Sequence, residues 1–227
     1  MKDMNRLHKV LAIILFLSLL AGLVFSAVQM VHAPMEQSGD EAQRTKSDYL
    51  LMVVECVAGL LVMTLPSALE KRLSLRIPHI MYILYDVFLY CAVFLGEVHD
   101  FYYRVPYWDS ILHFFSGLML GTLGFILVDF LNRSSTTRVQ LSPAFVCIFA
   151  FCFALAVGSI WEIYEYTMDS VMGLNMQKYM LADKTVKIGR DALQDTMKDI
   201  IIDTAASLWA AVIGYFSIKR HAQTTVK

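Results

Sequence analysis

Charge is scarce in this chain. Of its 227 residues, 17% are charged and 57% hydrophobic, with a mean hydropathy of +0.55. A soluble domain has roughly 25% and 45–50%. These departures exclude an ordinary soluble domain and predict an integral membrane protein. A basic surplus is also missing: net charge is −1 and the pI about 6.6. That leaves no cationic surface for nucleic acid. Cysteine is sparse, and Cys56, Cys91, Cys147 and Cys152 all fall inside apolar runs. That pattern excludes a disulfide framework and a CxxC-type metal site, and leaves small buried hydrophobes. No GxSxG, HExxH, Walker or glycine-rich phosphate loop occurs, so no common catalytic motif names an activity.

What the chain has is long apolar runs. A spanning helix needs roughly 20 such residues. Six candidates lie at about 10–31, 49–69, 80–98, 110–131, 143–167 and 199–218. The last is the weakest, with Asp199 and Asp203 in its first turns. The expectation is an all-α, polytopic membrane helix bundle of about six transmembrane helices. It forms one domain over 1–227, with a long outer connection at 168–198. Met172, Met176 and Met180 give that connection helical spacing. A short interfacial helix and ordinary packing both fit. The first apolar run, about 21 residues, exceeds the roughly 7–15 of a signal-peptide core. An uncleaved anchor is expected, with cleavage after Phe25-Ser26-Ala27 as the alternative.

Lysine and arginine set the orientation. The short segments on the N-terminal side hold Lys2, Arg6 and Lys9; Lys71, Arg72 and Arg76; Arg133 and Arg138; and Lys219, Arg220 and Lys227. The short segments opposite hold only Arg44, Lys46 and Arg104. Both termini are therefore expected in the cytoplasm.

With six spans, polar residues from five of them collect at one face, the outer one in this orientation. They are Glu55; Glu97, His99 and Asp100; Asp109 and His113; Glu162 and Glu165; and Asp191, Asp195, Asp199 and Asp203. Reversing the orientation moves the set together. Asp109 and His113 are i, i+4, as are the successive aspartates from 191 to 203, so each series shares a helix face. Stacked carboxylates repel, and an unpaired ion in a bilayer is costly. A bound cation, shared protons or pairing with Arg104 or Arg190 must offset them. Milder readings stand for some: Asp109 as a helix N-cap, Asp191 and Asp195 as solvated first-turn acids, Glu55 as a protonated interior group. Glu55, His113, Glu162, Glu165, Asp199 and Asp203 together fit a site better, because acids inside spans are functional by default. An oxygen-rich set with one imidazole suits a divalent metal such as Mg or Mn. Such an ion can activate water and hold a phosphate. Without metal, His113 would serve as a base oriented by Asp109 or a glutamate such as Glu162. Gly117 and Gly121 read as a close helix-packing face.

From about Leu95 on, the blocks "GEVHDFYYRVPYWDSILHFFSG", "WEIYEY" and "DTMKDIIIDTAAS" resemble the YjdF-like family of bacterial integral membrane proteins of unknown function. The matching positions are Asp109, His113 and Gly117; Glu162 and Glu165; Asp195, Thr196 and Asp199. More distantly, the pattern is similar to the VanZ-like membrane domain, whose last block has an Asn that no residue here matches. The resemblance implies a bacterial cytoplasmic-membrane protein and no particular activity. Three functions remain: a hydrolase or transferase on a lipid or lipid-linked envelope substrate, a cation or proton transporter using Glu55 and Asp86, and a non-catalytic membrane partner.

Overall fold

The computed structural model describes residues 2–35, 43–134 and 141–225. Arg138 and Lys227, two of the orientation residues, lie outside them. The architecture is all-α. The helices are α1 (Lys2–His32), α2 (Lys46–Val62), α3 (Leu65–Leu73), α4 (His79–Val98), α5 (Phe101–Arg104), α6 (Trp108–Ser134), α7 (Pro143–Met172) and α8 (Arg190–Thr225). Six segments are long and apolar enough to cross a bilayer, α2 and α3 together making one.

The six long apolar helices overlap the expected spans and extend past their ends. The sixth begins at Arg190 rather than near 199, because "RDALQDTMKD" continues the same helix. The connection expected over 168–198 is therefore shorter, 173–189. It does not form an interfacial helix. Gly173 at φ 65° ends α7 in the left-handed region, which glycine adopts without steric cost. The Asp169 carboxylate then accepts from the Met176 and Gln177 amides at 2.7 and 3.0 Å, fixing a turn where a helix would have run. Met176 packs with Leu51 and Leu174, as the packing alternative requires.

Two sub-bundles lie side by side. In the first, α1 packs on α2 and α4 through Leu15, Leu19, Cys56, Leu89 and Val93. The buried positions of α1 (Leu15, Leu19, Gly22 and Ser26) recur every three or four residues, while Ile13, Leu17, Val24 and Val28 face outward. Along α4, the turns Tyr90–Val98 are π-wound, a local distortion common at functional sites.

The second sub-bundle, α6, α7 and α8, is built on three stripes with four-residue spacing. They are Asp109-His113-Gly117-Gly121, Ala150-Ala154-Gly158-Glu162 and Asp199-Asp203-Ser207-Ala211. Four residues advance about 40° past a full turn, so each stripe drifts slowly and can follow a neighbouring helix. The small members let backbones close up. A Cβ on Gly117 would stand 2.7 Å from Ala206 Cβ, one on Gly121 2.6 Å from Ala210 Cβ, and one on Gly124 2.8 Å from Ala150 Cα. The packing-face reading of Gly117 and Gly121 thus holds. Each stripe turns polar toward the same face of the bundle.

Candidate functional site

His113 is the centre of that polar end. Its Nδ1 lies 3.3 Å from Asp203 Oδ1 on α8. Its Nε2 lies 3.6 Å from Glu162 Oε1 on α7 and 3.8 Å from Asp109 Oδ1 one turn back on α6. Asp109, His113 and Asp199 each offer a donor atom, and these atoms lie within 4.8 Å of one another. No other such group of three or more occurs among the described residues. His113, Glu162, Asp199 and Asp203 are buried, and Asp109 is half-buried at the mouth.

Four carboxylates thus surround one imidazole. Even a protonated ring leaves a surplus of negative charge if all four are ionised. The oxygens Glu162 Oε1, Asp199 Oδ1 and Asp203 Oδ2 are buried without a hydrogen bond. Each would cost about 1–3 kcal/mol or more if left so. A divalent cation offsets the charge and takes up oxygens of this kind. The donor set, carboxylate oxygens with one imidazole, fits Mg or Mn better than Zn. The Asp203–Nδ1 contact is of the kind that orients metal-bound histidines, and it leaves Nε2 facing Glu162 and Asp109.

Asp109 sits inside the first turn of α6, one residue past its start at Trp108. It faces His113 instead of capping the helix. Glu165 accepts from Trp161 Nε1 at 2.8 Å and lies near enough to Glu162, Asp109 and His113 to interact with their charges. Glu55 stands apart, and its strongest charged neighbours are Glu97 and Lys178. Arginine pairing does not serve the cluster. Arg104 and Arg44 both bind Asp100, Arg104 at 3.5 Å, and Arg190 is exposed.

The sequence reading missed a second polar centre. Lys178, from the 173–189 connection, reaches into the bundle. Its Nζ lies 3.1 Å from Glu97 Oε2 on α4 and 4.6 Å from the Tyr102 ring centroid. Burial alone would depress the ammonium, but Glu97, Tyr103 and Glu55 outweigh it and hold Lys178 above the ordinary lysine range. The same connection is tied down where Lys184 pairs with Asp48 and where Gln177 donates to Thr196 on α8 at 2.8 Å. Only the polar character of the connection hinted at this.

Gly158 fastens the site from behind. A Cβ there would collide with the Asp203 carboxylate, reaching 2.9 Å from its Cγ and closer still to Oδ2. Gly158→Ala is expected to push Asp203 off His113 and, for a metal held at this centre, to weaken binding about 10–100-fold, as loss of a partner that orients a metal-bound histidine does. Gly117→Ala meets only the methyl of Ala206 and nearby backbone. It should cost about 1–3 kcal/mol of stability by overpacking and leave affinity in the folded fraction within a few-fold. Metal titration beside thermal unfolding of both variants separates the two effects. Equal affinity losses would refute the assignment to Asp203.

Fold and site define a polytopic α-helical membrane protein with a histidine–carboxylate centre at one end of its bundle. The chain belongs to the family described as "Predicted membrane protein (DUF2238)", which it matches over residues 11–220. The YjdF-like resemblance fits this family. An uncharacterised protein of Thermotoga maritima is 26% identical over 151 residues, covering 66% of this chain and 69% of the relative. No solved structure matches.

Proposed function

We propose that this protein is a divalent-metal-dependent hydrolase or transferase acting on a lipid or lipid-linked envelope substrate. It forms a single membrane domain with both termini in the cytoplasm, so the His113 centre opens at the outer face. The observation that carries the reading is the convergence of α6, α7 and α8 on His113 with buried carboxylate oxygens left unpaired. In this proposal Asp109, His113 and Asp199 hold the ion, and Asp203 orients the His113 ring. Glu162, whose Oε1 points at the same space, accepts a proton from the attacking water or hydroxyl. A centre near the end of the spans is level with lipid head groups, where a phosphoester is within reach.

The transporter reading has less support. Asp86 lies toward the opposite face, paired with His8 at 3.4 Å. Between its level and that of Glu97, α4 buries Leu89 and Val93 in the apolar cluster with Leu15, Leu19 and Cys56. Along α4 this apolar cluster therefore separates the polar residues of the two faces.

The test is turnover in reconstituted vesicles supplied with Mn2+, using phosphate-bearing lipids and polyprenyl phosphates. Glu162→Gln should lower the rate about 10²–10⁴-fold, the usual contribution of a general base, with the variant still folded. Wild-type protein that releases no more product than protein-free vesicles would defeat the reading.

A further inference from the structure

A cavity of about 580 Å³ opens between α1 and the end of α4, on the same face as the His113 centre but in the other sub-bundle. It has two kinds of wall. Ala21 and Phe25 of α1 and Phe94 and Val98 of α4 supply an apolar side, and Ala21 and Phe25 belong to the exposed face of α1. Arg44, His99, Asp100 and Arg104 supply a polar rim at the ends of the spans.

The rim is built and biased in charge. Asp100 sits in the left-handed region at φ 62°, and its carboxylate lies between the two guanidiniums. One carboxylate against two guanidiniums leaves one positive charge in excess. Arg44 is anchored as well, donating to the Val98 carbonyl at 3.2 Å and to Met52 Sδ at 3.5 Å. The Arg104 side chain is 71% exposed and so is presented to a ligand. A guanidinium fork matches phosphate oxygens, and the apolar wall below it continues into the lipid-facing surface.

We propose that this cavity binds an anionic phospholipid, its phosphate held by Arg44 and Arg104 and its first acyl segments lying against Phe25, Phe94 and Val98. The shape fits an amphiphile rather than a soluble anion, because half the lining would gain nothing from a ligand without an apolar part. The site uses none of the proposed metal ligands and stands whether or not that centre holds metal.

The test is lipid quantification after purification from nanodiscs of mixed phosphatidylglycerol and phosphatidylcholine. Wild-type protein should retain phosphatidylglycerol in preference. Arg104→Gln should lower that preference roughly fivefold, as expected for one surface cation. Ala21→Trp, which fills the cavity from a lipid-facing position, should abolish it while the protein stays folded. A preference unchanged in both variants, or no preference in wild type, would overturn the proposal. Thermal stabilisation by inorganic phosphate without lipid preference would overturn it too, by assigning the cavity to a soluble anion.

Discussion

His113→Ala is expected to weaken Mn2+ binding by at least about 100-fold, the upper end of what losing even a residue that only orients a ligand costs. The imidazole is the only nitrogen donor in the group, and it joins α6 to both α7 and α8 through Glu162 and Asp203. On the proposed assignment its removal deletes a ligand and frees Asp203 together. Asp203→Asn should show a smaller loss, about 10–100-fold, since the ring stays while its orienting partner weakens. Calorimetric titration of Mn2+ into detergent-purified protein measures both. If His113→Ala binds as tightly as wild type, the carboxylates alone hold the ion and His113 is not a ligand.

Lys178→Ala is expected to cost about 3–5 kcal/mol, the penalty for leaving one partner of a buried ion pair unpaired. Glu97 is 6% exposed and would be left buried without its ammonium partner. An exposed pair would be worth about 1 kcal/mol or less, so denaturant titration distinguishes the two readily. The variant Lys178→Ala combined with Glu97→Gln should recover much of the loss, because the buried charge goes with its partner. The pH dependence follows from the raised folded-state pKa of Lys178. Its contribution is complete below the unfolded lysine value of about 10.4 and is lost only as pH rises through the higher folded value. The cost of Lys178→Ala should therefore be flat from about pH 6 to 9. A cost that shrinks across that window would mean Lys178 is not held protonated by Glu97.

Much of this architecture is legible in the chain, for a physical reason. An acid or histidine inside an apolar run is conspicuous, and four-residue spacing places successive members on one helix face. Asp109 with His113, and Asp199 with Asp203, could be paired in that way before any coordinates. Glu162 follows the same rule, since Ala150, Ala154 and Gly158 precede it at the same spacing. Which acids meet is less legible. Glu165 is only three residues from Glu162, yet Trp161 one turn back engages its carboxylate. Glu55 belongs to the other sub-bundle, and no local pattern assigns α2 to one partner over another. Lys178 was hidden altogether. A lysine in a polar connection looks solvated unless the turn set by Asp169 and Gly173 is known. That same turn replaces the helix that the methionine spacing allowed.

The central claim is that α6, α7 and α8 build a metal site around His113. Electron spin-echo spectroscopy of protein loaded with one equivalent of Mn2+ tests it most directly. The proposal predicts a single tightly bound ion with nitrogen coupling from one imidazole, absent in His113→Ala and altered in Asp203→Asn. Weakly bound Mn2+ without nitrogen coupling, unchanged in His113→Ala, would contradict the claim and leave His113 as a proton-sharing member of a metal-free cluster.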